Sequence, residues 1–256
     1  MTARSRGAFR LSSERVIIAA VRSVITYIAV SVYVLFAASI GMLLEMIFRW
    51  KGILYILGHG GVRLGLATAG IKYRVAGKEN LPLTRAAVYC ANHESNVDPP
   101  VLFTALHPRM HIVYKAEIDA IPLLARAFRH GGFVPIDRRN KESAMRSIEK
   151  GAKSIRDGSS FLIFPEGTRS RTGQMLPFKK GGFVMAIKAG APIVPIAISG
   201  GRDAMQRGSS IIKPVRISIR VGQPVETAGV SLDDRDLLIE TVRARIEALL
   251  AQGPVA

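Results

Sequence analysis

His93 and Asp98 are the first residues whose types and spacing point to chemistry, in the segment CANHESNVDPP at 90–100. On a regular helix, residues five apart lie about 140° away from each other and would not share a face. Asp98 followed by Pro99 and Pro100 is instead typical of an N-cap with proline at the first helical position. A turn through the residues before it can then fold the imidazole back onto the carboxylate.

Such a pair has the geometry of a general base. One ring nitrogen of His93 can face a substrate hydroxyl, while Asp98 holds the other, fixes the tautomer and stabilises the imidazolium that forms. No serine or cysteine nucleophile is needed if the attacking hydroxyl belongs to the substrate. The alternative is a solvated histidine in a polar loop, with Asp98 serving only as a helix cap. This segment alone leaves both interpretations open.

A second polar segment, FPEGTRS at 164–170, follows the apolar run SFLIF. Gly167 lets the backbone approach a ligand closely. Thr168 offers a hydroxyl, and Arg169 offers a fork suited to bidentate binding of a phosphate or carboxylate. Glu166 could accept hydrogen bonds from a polyol. The alternative is a polar turn between a strand and a helix, with solvated charges.

Two further basic segments are candidates for anion binding. In GGFVPIDRR at 131–139, Arg138 follows a short strand, although it could equally form a surface ion pair of small energetic value with the aspartate before it. In FKKGGF at 178–183, Lys179 and Lys180 precede a glycine pair and a predicted helix start. An ordinary solvated helix end would have the same composition.

The elements that must position these residues alternate between strands and helices. Predicted strands lie at 71–75, 86–91, 111–115, 133–136, 160–164, 193–198 and 215–221. Predicted helices lie at 141–157, 179–190 and, after a Ser231–Asp234 capping pair, up to a stop at Gly253. This alternation predicts an α/β domain with a mixed, largely buried sheet flanked by helices.

The N-terminal part of the chain predicts attachment to a membrane. Residues 23–44 contain no acidic or basic side chain, and at ~1.5 Å per residue this run can cross ~30 Å of hydrocarbon. It is too long for the apolar core of a signal peptide, which makes a cleaved signal the weaker interpretation. Basic residues flank the run on both sides, so the positive-inside rule gives no clear orientation.

A second apolar stretch at 52–70 is interrupted by Gly60-Gly61 and Arg63. It predicts a shorter helix, or two, at the membrane interface. The segment before residue 71 is thus either a simple anchor or a helical hairpin that dips into one leaflet and returns, and the hairpin is the favoured interpretation. We expect a basic, membrane-anchoring region at 1–70 and a catalytic domain at 71–256.

Composition narrows the class of partner. Lys and Arg outnumber Asp and Glu by 36 to 19 in this chain of 256 residues, giving a formal net charge of +17. Such an excess favours nucleic acid, an anionic lipid surface or phosphorylated ligands. Only 7% of the residues are aromatic, and no aromatic-rich basic stripe is present for stacking bases, which disfavours nucleic acid. The single cysteine, Cys90, excludes an intramolecular disulfide and a multi-cysteine metal site.

Four segments in order, NHxxxxD at 92–98, IDR at 136–138, FPEGTRS at 164–170 and VPIAI at 194–198, resemble the glycerolipid acyltransferase family. The resemblance covers roughly residues 70–220 and implies the sheet domain of glycerol-3-phosphate acyltransferases. It implies that His93 is the general base and Asp98 its orienting partner. The residues expected to hold the glycerol phosphate of the acceptor are Arg138, Glu166, Gly167, Thr168 and Arg169, with Lys180 as a further substrate-binding candidate. Pro135 departs from the bulky apolar residue that many relatives carry there, which puts the shape of the acceptor pocket in doubt.

The resemblance also implies the reaction. A fatty acyl thioester, acyl-CoA or acyl-ACP, would acylate the free hydroxyl of 1-acylglycerol 3-phosphate, giving phosphatidic acid for phospholipid synthesis with no metal and no cofactor. Alternative acceptors are glycerol 3-phosphate and another lysolipid such as lyso-ornithine lipid. A membrane-tethered protein that binds anions without catalysis is the remaining alternative. Because both donors are cytoplasmic, the catalytic domain is expected on the cytoplasmic face of the membrane.

Overall fold

A computed structural model of the protein describes residues 3–50, 52–106, 110–115, 119–136 and 141–255. In these ranges the strands are β1 Lys72–Ala76, β2 Val88–Ala91, β3 Met110–Lys115, β4 Val134–Ile136, β5 Ser160–Ile163, β6 Ile193–Ser199 and β7 Arg216–Val221. The α-helices are α1 Ala3–Phe48, α2 Ile53–Ala69, α3 Asp98–Ala105, α4 Pro122–His130, α5 Lys141–Arg156, α6 Gly181–Ala189, α7 Gly201–Ala204 and α8 Arg235–Ala251.

The strands of the described residues form one sheet of seven, in the order β1-β7-β6-β2-β5-β3-β4. Neighbours from β6 to β4 are parallel, whereas β7 runs antiparallel to β6 and parallel to β1. The predicted mixed α/β sheet is therefore confirmed, and each predicted strand segment is present. The continuous apolar runs form the central strands, which helices cover on both faces.

Successive side chains of β2 point to opposite faces of the sheet, and each face is covered by a different layer of helices. Tyr89 and Ala91 pack into a buried cluster with side chains of α2 and α3. Val88 and Cys90 point to the opposite face, into a second cluster formed with α5, α6 and α8. Because successive side chains of a strand point to opposite faces, a short apolar run serves both cores at once.

Three adjacent parallel strands determine where a site can form. The chain leaves β5 into FPEGTRS, leaves β2 into NHESNVD, and leaves β6 into SGGRD. Since the carboxyl ends of parallel strands meet at one edge of the sheet, these three loops lie next to each other. Open α/β sheets bind their ligands at this edge.

Two predicted helix starts are displaced in the structure. Helix α3 begins at Asp98, so that Asp98 is its first residue and Val97 occupies the N-cap position. Helix α8 begins at Arg235, one turn after Ser231, whose hydroxyl donates to Asp234 Oδ2 at 2.6 Å in the turn ahead of the helix. Asp98 differs from the expected cap because its carboxylate bonds back to the preceding loop.

The N-terminal helices α1 and α2 pack against each other as a helical hairpin; its place in a membrane, as a simple anchor or dipping into one leaflet, stays a prediction. Helix α2 runs back along α1, with the hydroxyl of Tyr33 donating to the carbonyl of Leu57 at 2.9 Å. Gly60 and Gly61 leave room for the Tyr33 ring, which a Cβ at either position would meet at 2.9 Å or less. The stretch Glu14–Phe48 of α1 is long and apolar enough to cross a membrane. This helix is therefore a candidate membrane segment.

Candidate active site

The imidazole of His93 and the carboxylate of Asp98 are in direct contact. His93 Nδ1 lies 2.9 Å from Asp98 Oδ2, at a carboxylate that is fully buried. The same oxygen accepts the backbone N–H groups of Glu94 and Ser95, both at 2.7 Å. The loop between the two residues therefore wraps around the carboxylate, which is one of the two arrangements that the spacing allows.

This arrangement fixes which nitrogen of His93 can act as a base. Asp98 Oδ2 accepts hydrogen bonds from two amides, so Nδ1 is assigned the proton and Nε2 keeps its lone pair. The ring is stacked on Phe164, with centroids 4.2 Å apart, and keeps 15% of its side-chain surface exposed. His93 forms part of the wall of a large cavity. Its unprotonated Nε2 could therefore take a proton from a hydroxyl group bound in that cavity.

Glu166 is turned away from the cavity and holds two loops together. Its Oε1 accepts the backbone N–H of His93 and its Oε2 that of Leu176, both at 2.8 Å. The carbonyl of His93 in turn accepts the N–H of Ser170 at 2.8 Å. Burial raises the pKa of Glu166, and the two amides oppose that shift. The geometry makes Glu166 a positioning residue for His93, whereas a polyol contact was expected; its role in substrate binding stays a prediction.

Three expected substrate-binding residues lie together in the cavity wall. Gly167, Thr168 and Arg169 all line the space that His93 faces. The turn from Phe164 is closed by the N–H of Gly167 donating to the Phe164 carbonyl at 3.0 Å, and Gly167 has a φ of 73°, in the region that favours glycine.

The two lysines of the FKKGGF segment have different surroundings. Lys179 lines the cavity, whereas Lys180 is not among its described lining residues, and the Lys180 ammonium pairs with Asp236 of α8 at 3.0 Å. Lys179 is thus the lysine that faces the proposed anion site. Binding of substrate by Lys180 stays a prediction that this geometry does not favour. Arg138, also predicted to bind substrate, lies outside the described residues.

Sequence reasoning missed two residues that brace the catalytic loop. The side-chain amide of Asn92 makes two hydrogen bonds of 2.8 Å with the backbone of Ile198, which extends the pairing of β2 with β6 beyond the last strand residue. Gly201 packs on Asp98, because a Cβ there would lie 2.1 Å from Asp98 Oδ1. The glycine pair in SGGRD, directly after a strand, is the signal that could have indicated this close approach.

The cavity has a volume of about 1160 Å³ and continues from the catalytic loop into apolar surroundings. Its wall includes side chains of the α1–α2 hairpin and of the region around β3, β4 and α4, among them Val30, Tyr33, Leu57, Leu124 and Phe133. Cys90 cannot serve as a nucleophile here, because its thiol is fully buried and burial raises its pKa. An apolar cavity with a few polar groups at one place suits a long hydrocarbon ligand.

A histidine held by a buried carboxylate thus lies in the wall of a largely apolar cavity that is also lined by cations. The Acyltransferase family model matches residues 72–199, which include NHESNVD, FPEGTRS and the VPIAI strand. The chain therefore belongs to the acyltransferase family, as the order of its motifs predicted.

Named relatives agree with this family, and a solved structure has the same fold. The chain is 34% identical over 178 residues to the 1-acyl-sn-glycerol-3-phosphate acyltransferase of Cocos nucifera, covering 69% of this chain and 56% of that protein. It is 28% identical over 221 residues to the enzyme of that name from Limnanthes douglasii, covering 84% and 78%. The crystal structure of the 1-acyl-sn-glycerophosphate (LPA) acyltransferase PlsC from Thermotoga maritima superposes with a TM-score of 0.76 at 24% identity, covering 92% and 98%.

Proposed function

We propose that this acyltransferase moves a fatty acyl group from an acyl thioester, acyl-CoA or acyl-ACP, to the free hydroxyl of 1-acylglycerol 3-phosphate. The product is phosphatidic acid. The observation that carries the proposal is one cavity whose wall combines His93, the Thr168–Arg169 turn and apolar side chains of the hairpin. The names of the curated relatives support the same acceptor.

His93 supplies the proton transfer in this reaction. Nε2 takes the proton of the acceptor hydroxyl while its oxygen attacks the carbonyl carbon of the thioester. When the tetrahedral adduct collapses, the carbonyl re-forms, the C–S bond breaks and the imidazolium returns its proton to the leaving sulfur. Asp98 keeps the ring in the required tautomer throughout and stabilises its positive charge. The thioester is already activated, so the expectation that neither metal nor cofactor takes part stands as part of the proposal.

The cations bind the phosphate of the acceptor, and the apolar side chains of the hairpin bind its acyl chain. Arg169 can bind the phosphate with two parallel hydrogen bonds, and Lys179 adds an ammonium at the same wall. The apolar part of the cavity accommodates acyl chains. The exposed apolar face of α1 supports attachment to a membrane, and the use of cytoplasmic donors supports a catalytic domain on the cytoplasmic side.

An acyl-transfer assay with a panel of acceptors and donors tests the proposal. The acceptors are 1-acylglycerol 3-phosphate, glycerol 3-phosphate, lyso-ornithine lipid and 1-acylglycerol, each with acyl-CoA and acyl-ACP. We expect 1-acylglycerol 3-phosphate to be preferred. Replacing the base with His93→Ala should lower kcat by about 10²–10⁴-fold, the usual contribution of a positioned base, while the protein stays folded and membrane-bound.

His130→Ala is the matched control. His130 also pairs with a carboxylate, Glu45 Oε2, at 3.0 Å, but this pair joins α4 to α1 and is no part of the described cavity wall. Its loss should leave turnover unchanged. Normal turnover by His93→Ala would remove His93 from the mechanism, and preference for lyso-ornithine lipid or glycerol 3-phosphate would replace the proposed acceptor.

A further inference from the structure

The segment between α7 and β7 contributes part of the cavity wall, although it lies beyond the residues 72–199 that match the family model. Met205, Arg207 and Ile212 line the cavity. The Ser95 hydroxyl donates to the Met205 carbonyl at 2.7 Å, which joins the start of the segment to the catalytic loop. Ser23 Oγ accepts the N–H of Ile212 at 2.7 Å, which joins its end to α1. The segment is therefore held at both ends.

Arg207 extends from this segment toward the arginine-bearing turn. Its Nη1 donates to the backbone carbonyl of Arg169 at 3.0 Å. A guanidinium has five N–H donors in a planar fork, so this bond leaves most of them for a ligand. The side chain is exposed and lines the same cavity as Arg169. The two guanidinium groups thus belong to one wall.

Three cations line this cavity without an ion-pair partner among the described residues. Arg169, Lys179 and Arg207 line the cavity together with His93, and none of the three forms an ion pair with any carboxylate of the described residues. Neighbouring Lys180, by contrast, is paired with Asp236. Cations that line a cavity without carboxylate partners leave a net positive charge there, and an anion with nearly two negative charges would compensate it. A phosphate monoester at neutral pH is such an anion.

We propose that Arg207 is a second guanidinium ligand of the acceptor's phosphate and makes the enzyme selective for phosphorylated acceptors. The proposal rests on the function proposed above, and it adds a residue that the sequence motifs do not contain. Arg207 and Arg169 bind the phosphate from two sides, and Lys179 adds a third charge. An acceptor without phosphate leaves all three charges uncompensated and gains no binding energy from them, so the enzyme selects the phosphorylated acceptor.

Arg202 provides a matched control for a purely structural role of Arg207. Its Nη1 donates to the carbonyl of Thr172 at 2.8 Å, in the same loop that Arg207 contacts. Arg202 is also exposed, but it is absent from the described lining of the cavity. Arg202→Gln therefore removes one bond to this loop without removing a charge from the proposed phosphate site.

The kinetic experiment compares Arg207→Gln, Arg207→Lys and Arg202→Gln with the full-length wild-type enzyme in mixed micelles. We expect Arg207→Gln to raise the KM for 1-acylglycerol 3-phosphate about tenfold to a hundredfold, the usual effect of losing hydrogen bonds to a charged group. Arg207→Lys should give a smaller rise, because an ammonium keeps the charge without the planar fork. Slow transfer to 1-acylglycerol, the KM for the thioester and the kinetics of Arg202→Gln should stay unchanged.

Three results would overturn the inference. An equal loss with 1-acylglycerol assigns Arg207 a structural role at the Arg169 turn. A raised KM for the thioester alone assigns it to the phosphates of coenzyme A. An unchanged acceptor KM removes Arg207 from binding altogether.

A binding measurement separates this inference from the proposed function. The dissociation constant of 1-acylglycerol 3-phosphate in mixed micelles is measured for His93→Ala with and without Arg207→Gln, and 1-acylglycerol is the phosphate-free reference. Weaker binding of the phosphorylated ligand alone supports Arg207 even if the wild-type enzyme transfers no acyl group to it. Equal binding with and without Arg207 contradicts the inference even if the enzyme is active.

Discussion

At the scale of single residues, three carboxyl groups lie around His93, and each has different contacts. Asp98 holds the imidazole, Glu166 holds the backbone of His93, and Glu94 lies beside the buried Asp98 carboxylate. Burial and then the charge of Asp98 raise the pKa of Glu94 to about 7, while Arg202 opposes the shift and Asp203 adds to it. Glu94 is thus a carboxyl group of this loop whose pKa lies close to neutral.

The raised pKa of Glu94 predicts a pH dependence of stability. An unfolded glutamate titrates near about 4.3, so between this value and about 7 the folded protein binds more protons at Glu94 than the unfolded chain does. The free energy of unfolding must then fall as the pH rises through this window. Glu94→Gln cannot titrate, and its thermal midpoint should decline less between pH 5 and pH 7 than that of the wild type.

Glu142→Gln is the control for this pH series. Glu142 is an exposed carboxylate of α5, paired only with Arg146 one turn away among the described residues. The variant should follow the wild-type pH dependence. Parallel curves for Glu94→Gln and the wild type would show that Glu94 does not titrate in this window.

The sequence predicts residue types at this site better than it predicts their orientation. His93 and Asp98 were predicted to meet, because a five-residue spacing around a helix start allows one compact loop. Lys179 and Lys180 could not be separated, because both precede the start of α6 at Gly181 and no helical periodicity fixes their directions. The structure pairs Lys180 with Asp236 of α8. The inward turn of Glu166 depends on two amides from distant segments, which no local pattern shows.

At the scale of elements, α7 is the part of the site most sensitive to a small change in volume. A methyl group on Gly201 would lie 2.1 Å from Asp98 Oδ1 and 3.2 Å from Ser95 Cβ, so α7 or the catalytic loop must shift. We expect Gly201→Ala to lower the free energy of unfolding by about 1–3 kcal/mol, as overpacking of a buried site does. It should also lower kcat, because Asp98 orients His93. Thermal denaturation and the acyl-transfer assay measure the two effects.

Gly58→Ala is the matched change in α2. A Cβ there meets no atom within 4 Å, and alanine favours a helix by about 0.5–1 kcal/mol over glycine, so this variant should be as stable as the wild type or more so. If Gly201→Ala keeps both the thermal midpoint and the kcat of the wild type, the close packing of α7 on Asp98 contributes neither to stability nor to catalysis.

The elements themselves were predictable, but their order in the sheet was not. Apolar runs and alternating patterns gave all seven strand segments in the described residues, because each depends on local periodicity. The pairing of β1 with β7 joins segments more than a hundred residues apart, and local periodicity carries no information about such a pair. Once the pairing is known to be parallel, however, the motifs that follow neighbouring strands must share one edge of the sheet.

At the scale of the whole molecule, α1 is apolar around its entire circumference between residues 23 and 44. One side is buried, with Gly41 against α2 and Ser23 against the segment that contains Ile212. The opposite face exposes large apolar side chains along its length, among them Ile17, Ile28, Phe36 and Leu43. A helix that is hydrophobic all round is either buried in a core or in contact with lipid, and the outer face of α1 is covered by no described part of the chain.

Lysine substitutions on this outer face test the proposed membrane attachment. Ile28 and Phe36 are 59% and 61% exposed, so replacing them leaves the packing of the hairpin intact. Ile28→Lys together with Phe36→Lys should release the protein from anionic phospholipid vesicles, because each lysine costs about 3 kcal/mol within hydrocarbon. Co-sedimentation with vesicles measures the bound fraction.

Leu237→Lys is the control for vesicle binding. Leu237 is 71% exposed but lies on α8, against the opposite face of the sheet from α2. This variant should sediment with vesicles as the wild type does. Equal sedimentation of the α1 double variant would instead assign membrane attachment to another part of the molecule.

The hairpin and the catalytic loop contribute to the wall of one cavity. Under the proposed function, this shared wall lets an acceptor arrive from lipid and not from water. Such an acceptor lipid enters the cavity beside the hairpin from a two-dimensional fluid, so its relevant concentration is a mole fraction of the leaflet and not a molarity. Inert lipid then acts as a diluent, even when the total amount of acceptor per litre is constant. The proposed diacylated product would return to the leaflet by lateral diffusion, without its chains crossing water.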